Sequence, residues 1–502
     1  MADSQTYFPI FILWLISTIF IRVFLKPSRA KAQSPPTPFA IPIIGHLHLI
    51  GPIPHQGFHK LSLRYGPVVR LFLGSQTCFV VSSPETAKEF LKINENSYLD
   101  RPHNSAVTYL TYGNKDFSFA NYGPYWKFMK KIIMSELLNV SKVDLRLQVR
   151  KNEVNRFMKH ISQKAKEGKA IEMGVELSKV IYNVIIETVT STRFSESEAR
   201  EMKKLVGDIT WIEGSFNISD YIWFFKNIDL QGFGKILKDI HRRYDIFVEK
   251  ILKEHEEARK LDKTLEGKDL LHILLDTAED KSQKIHLTRE NIKAFIFNIF
   301  VGTDTTSQTM EWAISELINH PNVMKKAADE IERVVGRNRL LQESDIPNLP
   351  YLQAIVNESW RLHPGSALIP RQASKDTTVA GYHIPANSTI YVNSWALGRD
   401  PNCWENPLQF MPERYKHTQL DPRGQDFGTL TFGTGKRMCP GISLAYQLAH
   451  VTLGTMIQCF DWKAGKDGNL TSVDMEEGVG ITLPRATPLV CVPVARLNPL
   501  PF

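Results

Sequence analysis

Five cysteines are all that the 502 residues contain, and no two of them form a C-x-x-C pair. Cys78, Cys403, Cys439, Cys459 and Cys491 are too dispersed for a zinc knuckle or a disulfide framework, which places the body of the chain in a reducing compartment. No G-x-G-x-x-G or other glycine-rich phosphate cradle is present, so the chain has no nucleotide-binding device of its own. A net charge of +8 would suit nucleic acid, but there is no basic block and no nucleic-acid motif. A membrane surface or an acidic protein answers that charge equally well. Beyond the first forty residues no linker-like stretch interrupts the chain, so one body is expected despite a length that could hold several domains.

The N-terminal segment has what the rest lacks, a long apolar run. Phe8 to Leu25 is almost wholly hydrophobic and, as a helix, would extend roughly 27 Å, enough for a thin bilayer. The rival reading is a cleaved signal peptide, and Ala30-Lys31-Ala32 imitates a cleavage site. Against it, no cation precedes the run, whereas Arg22, Lys26, Arg29 and Lys31 lie within its end or follow it. That asymmetry keeps the following side cytoplasmic. The predicted organisation is a luminal tail and transmembrane anchor over residues 1–26, a proline-rich hinge over 27–45 and a single globular domain over 46–502. The sequons at Asn139, Asn217, Asn387 and Asn469 should then stay unmodified.

Most chemistry is concentrated in Phe432–Gly441. Cys439 alone would read as a small core hydrophobe. Its company changes that: glycines let backbone approach a flat object, Arg437 answers a negative charge, and an apolar helix from Ile442 follows. A thiol ahead of a helix N-terminus is expected to have a lowered pKa. The pattern F-x-x-G-x-R-x-C-x-G, carried by Phe432, Gly435, Arg437, Cys439 and Gly441, resembles the haem-ligating loop of the cytochrome P450 monooxygenases. The resemblance implies heme b with iron held by the Cys439 thiolate, and a mainly α fold with small β-sheets.

Other motifs follow in order. After Gly123-Pro124 a helix places Trp126 and Lys130 one turn apart. The resemblance makes them haem-propionate holders, with lysine where arginine is usual, and adds Arg371. Arg101 to Tyr122 reads as a long irregular loop whose aromatics form a binding wall. Leu145 to about Leu275 reads as successive amphipathic helices. Gly214 to Phe225 breaks them with aromatics and suits a pocket wall, a membrane-touching edge or core packing alike.

Thr288 to His320 is the longest helical pattern, with Thr288 as N-cap. Val301-Gly302-Thr303-Asp304-Thr305-Thr306 is poor helix-making sequence, and a distortion is expected there. It resembles the family's oxygen-activation motif, which puts the proton-guiding acid and alcohol on Asp304 and Thr305. Val301 stands where Ala or Gly is usual and would narrow the space over iron. Glu358 and Arg361 share a helix face, as do Glu153/Arg156, Glu256/Arg259 and Glu330/Arg333. Only the first is followed by R-L-H-P and by Pro412-Glu413-Arg414-Tyr415, and the resemblance makes Glu358, Arg361 and Arg414 a buried triad. By the same analogy Ala367, Leu368 and Ile369 face substrate, and Ile481, in the 478–482 turn between strands, borders the pocket. Val68–Phe72 with Thr77–Ser82 reads as a hairpin, and Thr378–His383 with Ser388–Val392 as a small sheet.

The resemblance covers nearly the whole chain and implies insertion of one atom of O2 into a hydrophobic small molecule. Electrons then come from NADPH through the FAD- and FMN-bearing NADPH–cytochrome P450 reductase, for which Lys127, Lys131 and Lys436 offer a basic face. It also implies an endoplasmic reticulum membrane location. I-P-I-I-G-H-L-H-L, G-R-D-P-N-C-W-E-N-P-L and V-P-V-A-R-L-N-P resemble plant microsomal members acting on flavonoids, isoflavonoids and pterocarpans. Triterpenoid hydroxylation and flavone-synthase-like desaturation are the alternatives within that group. An isomerase working without O2 is disfavoured by intact Asp304 and Thr305, and a haem binder without turnover stands as the non-enzymatic alternative.

Overall fold

The computed structural model describes residues 33–261, 269–416 and 427–501, with 9, 13, 14 and 17. The predicted anchor therefore lies outside the described residues apart from those isolated positions. Among the described residues no helix is long and apolar enough to cross a membrane.

The long helix Arg289–Asn319 is the axis of the fold. Thr288 caps it as expected: its hydroxyl accepts the Asn291 N–H, and Asn291 Oδ1 accepts the Thr288 N–H. Asn291 thus completes the capping box. The helix packs against Met173–Thr190, Pro350–Leu362 and Ile442–Cys459. One apolar cluster, including Met310, Ile314, Ile355 and Met456, fills the space on the C-terminal side. Another, including Phe295, Phe297, Ile185 and Val206, fills the N-terminal side. The two meet around the mid-helix Val301–Thr306 turn, where the site lies.

The expected distortion does not break this helix, which runs unbroken from Arg289 to Asn319. The threonines are accommodated by bonding back to their own helix: Thr303 Oγ1 donates to the Phe300 carbonyl at 2.7 Å, and Thr305 Oγ1 to that of Gly302 at 3.0 Å.

A four-stranded sheet flanks the helices. Val68–Leu73 and Gln76–Val81 form the predicted antiparallel hairpin. Gln76–Val81 then pairs in parallel with Thr389–Asn393, which pairs antiparallel with Leu368–Gln372. The second expected sheet is corrected here. Thr377–Val379 pairs only with Tyr382–Ile384, while Thr389–Asn393 belongs to the larger sheet, because its buried Thr389, Ile390, Val392 and Asn393 need neighbours on both edges and faces. Phe460–Ala464, Val490–Ala495 and Ile171–Glu172 make a three-stranded sheet. No described strand flanks the 478–482 turn; a single bridge between Glu477 and Arg485 closes it.

Two loop expectations also change. The Arg101–Tyr122 stretch contains a helix, Ser105–Leu110, capped by the Asn104 side chain. The described part of the hinge is not a free arm: the Arg70 N–H donates to the Pro36 carbonyl at 3.0 Å and the His46 N–H to that of Phe72 at 2.7 Å. Gly45, at φ +61°, lies so close that a Cβ would meet the Phe72 carbonyl oxygen at 2.1 Å. Proline stiffness is thus used to seat the segment on the hairpin.

Candidate active site

A cavity of about 360 Å³ opens between the long helix and the cysteine loop. Met438, Cys439, Pro440 and Gly441 form one wall; Gly302, Thr305, Thr306 and Thr309 form part of the opposite one. No atom would crowd a Cβ at Gly302, so the helix surface there is bare backbone. Leu368, Ile369 and Ile481 complete an apolar lining.

The cysteine loop is held from both ends. The Cys439 N–H donates to the Phe432 carbonyl at 2.9 Å, and the Met438 N–H to that of Gly435 at 3.1 Å. Phe432 packs edge-on against Trp360 at 5.0 Å. Gly435 does not touch the cavity. It adopts φ +69°, and a Cβ there would fall 2.1 Å from Glu95 Oε1, so glycine serves the turn and the approach of Glu95. The thiol expectation is reversed: burial pushes Cys439 up, against the Gly441 N–H and the charges of Lys130 and Arg101. Desolvation of a dry wall outweighs one N–H from a helix that starts only at Ile442.

Above and beside the sulfur stand four cations: Arg101, Lys130, Arg371 and Arg437, all lining the cavity. Arg437 donates to the Leu99 carbonyl at 2.7 Å and to that of Ala120 at 2.5 Å, with its guanidinium 4.6 Å from the Trp126 ring. Lys130 Nζ donates to the Lys436 carbonyl and lies 5.1 Å from the same ring. Among the described residues, Arg371 donates only to its own neighbour, the Pro370 carbonyl, at 2.9 Å. Burial, then Arg101 and Arg437, hold Arg371 well below its ordinary value. Burial and Arg101 bring Arg437 down to about 10. Arg101 Nε is buried with no partner. Asp116, Asp100 and Glu95 act on these arginines, but among the described residues no carboxylate hydrogen-bonds to any of the three guanidiniums, and a flat dicarboxylate fits the group: the residues present match the haem implied by the loop. Arg101 went unseen in the sequence; the only local signal was an arginine fixed before Pro102 at the start of the aromatic loop.

Two expected lining residues, Val301 and Ala367, and the expected proton-guiding acid, Asp304, are absent from the cavity lining. Adjacent positions on a helix diverge by about 100°, so Gly302 and Thr305 on the cavity face leave Val301 and Asp304 to the sides. Val301 packs on the N-terminal apolar cluster and does not narrow the cavity. Asp304 is 1 % exposed; its carboxylate accepts from Lys203 at 2.9 Å, from Gln308 at 2.5 Å and from the Tyr182 hydroxyl at 3.3 Å. Ala367 alternates away from the cavity, its carbonyl accepting from Trp395 N–H and the Ser394 hydroxyl. Ser366 takes its place in the lining.

Beneath the loop, Glu358 accepts from Arg361 at 2.8 and 2.7 Å and from Arg414 at 2.9 Å. Arg361 also donates to the carbonyls of Pro407 and Gln409, and Arg414 to that of Glu405. Glu358 is fully buried and Arg361 nearly so. The Pro350–Leu362 helix and the 405–414 segment are therefore riveted together.

The cytochrome P450 family model matches residues 35–492. The chain is 51 % identical to cytochrome P450 93A3 of Glycine max over 508 residues, covering 98 % of this chain and 99 % of that protein. It is 49 % identical to the 3,9-dihydroxypterocarpan 6A-monooxygenase of Glycine max, over 98 % of this chain and 99 % of the other. A solved zebra fish cytochrome P450 with progesterone matches with a TM-score of 0.73 at 26 % identity, covering 88 % of this chain and 99 % of that one. With its mainly helical fold, small sheets and cysteine-walled cavity, the chain belongs to the cytochrome P450 family, whose members carry a haem-thiolate centre, and it is a cytochrome P450 monooxygenase.

Proposed function

We propose that the chain hydroxylates a flavonoid, isoflavonoid or pterocarpan scaffold, using electrons delivered from NADPH by its reductase. The observation that carries the reading is the apolar cavity bounded by the Cys439 sulfur, the bare Gly302 backbone and the Thr305 hydroxyl. Similarity over almost the full length to a pterocarpan monooxygenase supports the scaffold.

In this reading Cys439 ligates heme b, and Trp126, Lys130, Arg101, Arg371 and Arg437 hold its propionates. Bound there, the haem supplies the activation of O2 and the insertion of one oxygen atom, the thiolate donating electron density. The chain's own residues do the rest. Leu368, Ile369 and Ile481 exclude water and pack the rings of the substrate. Thr305, whose hydroxyl borders the cavity, holds and passes the protons. Asp304 positions it: the Lys203 ion pair and the Gln308 bond fix the helix turn on which Thr305 stands. On this account Thr305→Val keeps its haem spectrum, while product formed per NADPH consumed falls about 10²-fold. Unchanged coupling would remove the hydroxyl from the proton path.

Lys127 and Lys436 are exposed and converge on the Tyr122 ring, at 5.0 and 5.6 Å, beside exposed Lys131. They form the basic face offered to the reductase. The chain is anchored once in the endoplasmic reticulum membrane with its body in the cytoplasm. An enzymatic deglycosylation assay on the native microsomal protein is expected to leave its mobility unchanged; sugar on Asn139, Asn217, Asn387 or Asn469 would refute the orientation.

The decisive experiment is expression in yeast microsomes with the reductase, fed panels of flavonoids, isoflavonoids, pterocarpans and triterpenes. One added oxygen on a phenolic scaffold is expected. Turnover confined to triterpenes would displace the reading, as would a product of unchanged mass.

A further inference from the structure

Lys436 is exposed, yet each of its polar groups is held by a side chain from outside the cysteine loop. Its backbone N–H donates to Glu95 Oε1 at 2.5 Å and its Nζ to Asn96 Oδ1 at 2.7 Å, while its carbonyl accepts from Lys130 Nζ. Exposed groups need no such partners, since water satisfies them. The contact with Glu95 is also tight. A Cβ at Gly435 would stand in the space of the Glu95 carboxylate, so an acid and a glycine far apart in the chain serve one hydrogen bond.

Glu95 opens a short turn, Glu95–Ser97, in a segment that is itself fixed. The Ser374 N–H donates to the Ser97 carbonyl at 2.9 Å, and the Gln372 N–H to that of Asp100 at 2.8 Å. Between them Tyr98 is 1 % exposed; its hydroxyl bonds that of Thr377, and its ring packs 5.0 Å from Phe90. Gln372 ends the strand Leu368–Gln372, which carries Arg371. From the same segment the Leu99 carbonyl accepts Arg437 Nε at 2.7 Å. Residues 95–100 thus strap the Gly435–Arg437 turn to the sheet, and Cys439 follows that turn by two residues. The loop's own bonds, Cys439 N–H to Phe432 and Met438 N–H to Gly435, close it on itself; the strap fixes where it stands against the sheet.

We propose that Glu95 is a positioning residue for the Cys439 loop: its carboxylate oxygen, with Lys130 on the opposite side of the turn, holds residue 436 and so fixes the place of the sulfur in the cavity wall. The inference deepens the reading of Cys439 as the haem ligand and rests on it. A metal ligand performs only when the groups behind it restrict its motion, and removing one such outer partner changes metal affinity or reactivity about 10–100-fold. The bond requires an acceptor at the end of a side chain of this length. Glutamine supplies one; alanine and serine do not reach.

The test follows the detergent-solubilised, haem-loaded full chain in mild urea, reduced and under carbon monoxide. Two decays are timed: that of the thiolate-type spectrum per haem bound, and that of the far-UV ellipticity. Glu95→Ala is expected to lose the thiolate signature about tenfold faster than wild type while its ellipticity holds. Glu95→Gln should stay near wild type, and Glu95→Ser replaces the alanine variant should that one load no haem. A wild-type rate in Ala or Ser overturns the proposal. So does a signature lost only in step with ellipticity, which marks a general loss of stability. A Gln variant as fast as Ala overturns it too, because the charge and not the acceptor would then matter. If wild type shows no thiolate-type spectrum, the reading of Cys439 fails first and takes the inference with it, before any variant is compared.

Discussion

Cys439→Ser is expected to yield a protein with no thiolate-type carbon monoxide difference spectrum and with turnover at background. The substitution is nearly isosteric, and the loop is held by backbone bonds that it leaves intact: Cys439 N–H to Phe432, Met438 N–H to Gly435. The chain should therefore still fold, and the loss should be chemical. Serine's alcohol is far harder to deprotonate than a thiol, and the dry wall that pushes the Cys439 thiol up would push an alcohol further. Ligand binding in such a wall requires metal to replace the proton, which sulfur permits and a neutral hydroxyl does not. A purified variant that kept both its pigment spectrum and its turnover would overturn the assignment of the site.

Glu358→Gln should act through the fold. The carboxylate serves two guanidiniums, from Arg361 and Arg414, and also accepts the Met411 N–H at 2.8 Å. Both members of the inner pair have side chains of 0 % exposure, so little water is on hand to repair the loss. Leaving two buried cations without their anion is expected to cost about 3–5 kcal/mol, a large share of a typical domain's net stability. The measurement is haem-loaded protein recovered per cell, together with the thermal midpoint. Arg242→Ala, which breaks the exposed Arg242–Asp239 pair, is the control and should change neither. Equal behaviour of the two variants would reduce Glu358 to an ordinary surface pair. Glu153–Arg156 shares the same spacing and Glu153 also pairs with Arg193, but the side chains of Arg156 and Arg193 are 52 % and 43 % exposed, so water is on hand there to replace a lost partner.

What the sequence revealed depended on distance. Thr288 marks its helix because a cap acts within one turn. The Phe432–Gly441 loop was legible because its chemistry lies in ten residues. Facing was harder. Val301, Asp304 and Ala367 sit beside true lining residues, but one step along a helix or strand rotates a side chain away, and only packing decides the phase. The cation group was harder still. Arg101, Arg371 and Arg437 have no common local pattern and meet only after the fold brings three separate segments together. The hinge shows the converse: its prolines announced stiffness, but the carbonyls it offers to the hairpin had no signature.

Mutually repelling guanidiniums around a dry space have a cost that the bare polypeptide must carry. On the proposed reading, a dianionic pigment held among Arg101, Arg371 and Arg437 would relieve that strain, so its capture would contribute to the folding equilibrium as well as to chemistry. At a hundred times its dissociation constant, such a ligand adds about 2.7 kcal/mol to stability. A cell short of porphyrin should therefore accumulate less of this chain altogether, its abundance tracking supply of the pigment.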